Sequence, residues 1–190
     1  MLFRSGNSGN NTFTSGSGSN IFTGFGGNDT YYVNPTDTVS ENDGEGTDSV
    51  ISSGGYTLAA GSEIESLSTT SGAGVSLTGN EFGQTITGGA GIDTLTGGDG
   101  DDIYIVQNTG DSVIEIDGEG NDTVRSSVSF TLAPLASIER LEGTGSDNIN
   151  LFGNEFDQEI IGNSGNNEIR SGAGARSEEH TSELQSRQYL

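Results

Sequence analysis

The sequence predicts an all-β fold, a parallel β-roll (β-solenoid) of nonapeptide repeats set inside a longer 74-residue repeat. Three observations predict it. Residues 88–105 read GGAGIDTLT and then GGDGDDIYI, two copies of one nine-residue pattern. Sequence pieces recur 74 apart: Val39 with Val113, Asp43 with Asp117, Ile64 with Ile138, Gly79 with Gly153 (113 − 39 = 153 − 79). Only 29% of the 190 residues are hydrophobic and 32 are glycine, which suits a thin core of one side chain per strand. A repeat of this length with a shorter one inside it indicates units that stack on their neighbours.

The nine-residue pattern has a physical reading. Glycines at places one, two and four allow positive φ and a sharp turn with inward carbonyls. The aspartate at place six adds a hard anionic oxygen. The second half alternates polar and apolar, as a short strand with one buried side chain does. Stacked turns of carbonyls and carboxylates suit calcium, which takes six to eight oxygen ligands in flexible geometry.

Taken in order, residues 1–5 have no assigned structure. Residues 6–32 hold three degenerate windows, with Phe13, Phe22 and Tyr31 at place eight and Asn11, Asn20 and Asp29 at place six. Asparagine tolerates the turn but is a poorer ligand, so this end reads as scaffold with weak or no metal. Segments 33–78 and 126–152 alternate as strands around serine, glycine and alanine turns, and are expected as irregular β rungs. The central roll is 79–125. It places Gln84, Asp93, Asp102, Asp111 and Asp122 at place six, with Asp37 and Asp48 the first-unit counterparts of the last two aspartates. A final roll segment, 153–175, breaks off within a window. Residues 176–190 (RSEEHTSELQSRQYL) share nothing with the rest and look like translated sequencing adapter, so they are excluded from fold reasoning.

The tandem at 88–105, with degenerate copies on either side, resembles the nonapeptide of the RTX family of hemolysin-type calcium-binding repeat proteins. The resemblance implies calcium between turns stacked on one edge of a β-roll. It implies that carbonyls of the glycine turns, here Gly88, Gly89, Gly91, Gly97, Gly98 and Gly100, complete the coordination. It also implies a secreted bacterial protein exported by a type I system, with the C-terminal signal and any protease, lipase, cytolysin or adhesin domain outside these residues. A cell-surface or glycan partner would act through such a missing domain.

Two nonapeptides make one turn of a β-roll, so place-six residues eighteen apart stack. Asp93 and Asp111 are therefore the first candidates to share a Ca2+ ion, Asp102 lies between Gln84 and Asp122, and Asp29 and Asp48 complete the candidate set. The plainer reading is that these aspartates only cap turns by accepting backbone N–H bonds. Asp99 and Asp101 fall at variable places and read as solvated charge.

A net charge of -22, with six arginines as the only Lys or Arg residues, excludes phosphate-backbone binding to nucleic acid. It also makes a metal-free chain repel itself. No run is long and apolar enough to span a membrane. There is no cysteine for a disulfide or thiolate site. The single histidine, His180, lies in the excluded tail, so no Ser-His-Asp arrangement has a base and no enzyme is read here. The expected function is calcium binding coupled to folding outside the cell. The alternative is a structural β-solenoid of a surface adhesin with calcium as a stabiliser only. Rows of Thr-x-Thr could suit ice, but the row breaks at 103–105.

Overall fold

Thr-apolar-Thr triplets make the shortest strands. Thr12–Thr14, Thr85–Thr87 and Thr94–Thr96 each bury the middle residue and turn both threonines outward. β-Branched residues on the outer face favour the extended chain, and one inward side chain is all a narrow coil can hold. The computed structural model describes residues 2–172 and the backbone of Arg176–Glu179. It is all strand, with no helix among the described residues, and its parallel sheets coil into a β-solenoid of about 9 turns. The predicted fold class is therefore the observed one.

One face is a ten-stranded parallel sheet. It runs from Thr12–Thr14 through Thr30–Val33, Ser49–Ser52, Ser66–Thr69, Thr85–Thr87, Ile103–Val106, Thr123–Ser126, Arg140–Gly143 and Gln158–Ile161 to Arg176–Glu179. The intervening strands form the opposite face. That face is broken between Thr38–Val39 and Tyr56–Thr57, and again between Ser112–Ile114 and Phe130–Thr131. Both breaks fall at the same point of the 74-residue unit (112 − 38 = 130 − 56).

Register fixes the core. Phe13 lies beside Tyr31, Ile86 beside Tyr104 and Leu95 beside Val113, each one rung and eighteen residues on. The rung widens to 21 residues where Tyr56 pairs with Leu77 and Phe130 with Leu151. The place-eight residues Phe13, Phe22, Tyr31, Ile86, Leu95, Tyr104, Val113 and Val124 are all buried, and Phe13 and Tyr31 stack at 5.0 Å. The core is thus a double file of apolar side chains, each burial contributing about 1.5–3 kcal/mol. Because each rung touches only its neighbours, the turns at the two edges must be closed by something other than a central core. Of the tail, only the backbone of Arg176–Glu179 beside Gln158–Ile161 is described; the rest of the adapter-like stretch lies outside the described residues.

Candidate metal centre

The turn glycines serve two different needs. Gly98 takes φ of 100°, which an L side chain rarely adopts. Gly97 needs space instead: a Cβ there would overlap Asp102 Oδ2 and the Tyr104 hydroxyl. Gly24 is placed in the same way against Asp29 Oδ2 and the Tyr31 hydroxyl, and Gly88 against Asp93 Oδ2. The first glycine of the pattern is therefore a cradle for the sixth residue. The sequence argument from positive φ accounts for Gly89, Gly98 and Gly100 but not for Gly88, Gly91 and Gly97. At Gly91 the crowding atoms are backbone of Ala73 and Gly74 on the neighbouring rung.

Place-six side chains form two columns, one at each edge. In each column a carboxylate accepts the backbone N–H of the preceding rung. On one edge Asp29 N donates to Asp48 Oδ1 at 2.7 Å, Gln84 N to Asp102 Oδ1 at 2.6 Å, and Asp102 N to Asp122 Oδ1 at 2.8 Å. Glutamates continue that column, with Asp48 N bonded to Glu65 and Asp122 N to Glu139. On the other edge Val75 N donates to Asp93 Oδ1 at 2.8 Å and Asp93 N to Asp111 Oδ1 at 3.0 Å. Asp93 and Asp111 thus share an edge, and Asp102 does lie between Gln84 and Asp122.

The second oxygens divide the aspartates. Asp111 Oδ2 accepts Gln107 N and Asn108 N, so amides engage both of its oxygens. Oδ2 of Asp29, Asp93 and Asp102, and Oε2 of Glu41, are buried with no hydrogen-bond partner. An unpaired buried carboxylate oxygen is costly. Burial, opposed by the Gln84 N–H and reinforced by neighbouring carboxylates, pushes Asp102 up to about 7. Burial likewise raises Asp93, with the Val75 N–H opposing and Asp111 reinforcing. Asp48 and Asp122 are each pushed up to about 6, again chiefly by burial. The ion pairs among the described residues join Arg125, Arg140 and Arg170 to Glu142, Glu159 and Glu168, on strands rather than at these turns. These are hard, anionic oxygen donors, and calcium fits such a donor set.

Elsewhere an amide occupies the turn. Asn80 Nδ2 donates to Ala59 O at 2.8 Å and Ser62 O at 2.7 Å, and Gln84 Nε2 donates to Asn80 Oδ1 at 2.7 Å and also to Phe82 O. Asn154 and Gln158 repeat this 74 residues on, against Ala133 O, Ala136 O and Asn154 Oδ1. Here neutral N–H donors bind the loop carbonyls, so these windows close without a cation.

A model of the RTX calcium-binding nonapeptide repeat matches the sequence in four copies, over residues 5–34, 78–107 and 152–175. This chain carries RTX calcium-binding repeats. No curated protein and no solved structure matches it. Asp29, Asp93 and Asp102, the aspartates with an unpartnered Oδ2, all lie inside the matched RTX stretches; Asp48, Asp111 and Asp122 lie outside them. The recognition made from the tandem at 88–105 is thereby upheld, and RTX calcium-binding repeats in a β-solenoid fit a calcium-binding repeat segment.

The residues that sequence reasoning passed over are the buried Glu41 and Glu115 and the column members Glu65 and Glu139. All four lie outside the place-six frame. The signal was present in the 74-residue spacing (115 − 41 = 139 − 65), where it marked only repeat boundaries. Asp99 is exposed, while the exposed Asp101 accepts Asn121 N at 2.9 Å.

Proposed function

We propose that this RTX segment binds calcium along both edges of its solenoid, and that binding couples to folding outside the cell. Asp29, Asp93 and Asp102 are the primary ligands. Carbonyls of Gly88, Gly89, Gly91, Gly97, Gly98 and Gly100 are the backbone donors, and Asp48, Asp111 and Asp122 support them from the next rung. The observation that carries this reading is the coincidence of the unpartnered buried aspartate oxygens with the matched repeats. Bound calcium would supply positive charge to a set of buried carboxylates that no arginine among the described residues pairs with.

Extracellular modules bind calcium at roughly 10⁻⁴ to 10⁻³ M. At about millimolar calcium each such site stabilises the fold by roughly 0.4–1.4 kcal/mol, which accumulates over several sites. RTX repeats are typical of secreted bacterial proteins. A chain of net charge -22 stays expanded where calcium is scarce and is drawn together where it is abundant. Type I export of the unfolded chain follows from that reading.

The test is equilibrium dialysis against calcium. The wild-type chain is expected to bind several ions saturably in the millimolar range, and D29N/D93N/D102N to bind fewer. Absence of saturable binding by the wild type would overturn the proposal. One observation favours the scaffold alternative in part: the Asn80–Gln84 and Asn154–Gln158 windows are closed by amides. If most β-structure persists in chelator, calcium is a stabiliser of an otherwise formed solenoid.

A further inference from the structure

Each 74-residue unit buries a glutamate that the nonapeptide pattern does not specify, Glu41 in the first and Glu115 in the second. Each receives a hydrogen bond from a buried tyrosine hydroxyl, Tyr31 to Glu41 and Tyr104 to Glu115. Each also lies near two place-six aspartates. In the second unit carboxylate oxygens of Asp102, Glu115 and Asp122 lie within 4.8 Å of one another, and all three residues are buried. Two calcium–oxygen bonds span about 4.6–5.2 Å, so one ion could touch all three.

An acidic cluster alone would not indicate a ligand. The independent observation is the orphaned oxygen. Asp102 Oδ2 is buried without a partner, and it lies beside the Tyr104 hydroxyl in the cradle over Gly97. Tyr104 in turn bonds Glu115, so the free oxygen faces the glutamate's side of the turn. The first unit repeats the feature: Asp29 Oδ2 and Glu41 Oε2 are both buried and unpartnered.

We infer that Asp102, Glu115 and Asp122 hold a divalent cation of the calcium type through side-chain oxygens, a site that joins two place-six aspartates to a residue outside the nonapeptide pattern, with Glu115 as its distinguishing ligand. The tyrosine hydroxyl is a positioning group that fixes the glutamate rotamer. The inference rests on the reading of the segment as calcium-binding. It is distinct in requiring a glutamate from between two windows.

The rival explanation is a protonated Glu115 held only by Tyr104. Glutamine is the discriminating replacement, because it keeps the size and can still accept from the hydroxyl. Calcium dialysis on the full chain is expected to show E115Q binding one ion fewer than wild type, or one site weakened at least ~10-fold. The exposed control D117N, with the same charge change, is expected to leave the count unchanged. In a second arm, terbium replaces calcium and tyrosine is excited. Y104F is expected to lower sensitised emission while the number of bound ions holds. Calcium binding by E115Q equal to wild type, or emission unchanged in Y104F, would overturn the inference. Absence of calcium binding in the wild type would instead overturn the broader reading and this one with it.

Discussion

The backbone N–H of Asp93 donates to Oδ1 of Asp111, one rung and eighteen residues away, at 3.0 Å. The two acids share an edge but not an electrostatic situation. Asp111 is surrounded by amide donors, whereas Asp93 keeps one buried oxygen without a partner. Replacing each by asparagine should therefore give different results. D93N is expected to raise the calcium midpoint of folding. D111N puts an NH2 against the N–H groups of Gln107 or Asn108, and is expected to cost about 1–3 kcal/mol even at saturating calcium. Calcium titrations of folding and thermal melts at saturating calcium check both.

The cradle over Gly97 predicts a steric effect. G97A forces a methyl into Asp102 Oδ2 and the Tyr104 hydroxyl, and is expected to destabilise by about 1–3 kcal/mol. Gly72 has no atom within 4 Å of an added Cβ and no positive φ, so G72A is expected to be neutral or stabilising by up to ~1 kcal/mol. Melting temperatures of the two variants in calcium provide the comparison.

The amide-closed turn should be indifferent to calcium. N80A removes donors to Ala59 O and Ser62 O and is expected to cost about 1–3 kcal/mol. The loss should be the same at every calcium concentration that folds the chain. Denaturant midpoints at several such concentrations measure it.

The raised carboxyls set a pH dependence for the metal-free chain. Burial, opposed by the Tyr104 hydrogen bond and reinforced by the charge of Asp122, pushes Glu115 up to about 8. Burial likewise carries Glu41 to about 7, against the Gly24 N–H and with Asp48. The folded state then binds these protons more tightly than the unfolded state. Its stability is fully present below about pH 4.5 and is lost as pH rises through 7 to 8. In chelator, residual β-structure is expected to fall from pH 5 to pH 8. Saturating calcium, which competes with the protons, should flatten or reverse that slope. Metal-free β-structure that rises over this interval would contradict the assignment of Glu41 and Glu115 as proton-holding groups.

The fold was largely legible because nine-residue periodicity is local: a glycine turn, a polar place six and an apolar place eight determine one half-rung each, as Ile86, Leu95 and Tyr104 show. The edge columns were legible for the same reason, since eighteen residues make a rung at Asp93 and Asp111. Which aspartates keep a free oxygen was not. That depends on neighbours several residues away, such as Gln107 and Asn108 around Asp111. The buried Glu115 was hidden because the nine-residue frame ends at Ile114 and resumes at Asp117, leaving it in a two-residue insertion where no pattern assigns an inward direction.

The most direct measurement is far-UV circular dichroism of the chain titrated with calcium after exhaustive chelation. The account predicts a coil-dominated spectrum in chelator that converts cooperatively to β-structure by millimolar calcium, with magnesium a poor substitute. An unchanged β spectrum across the titration would contradict it.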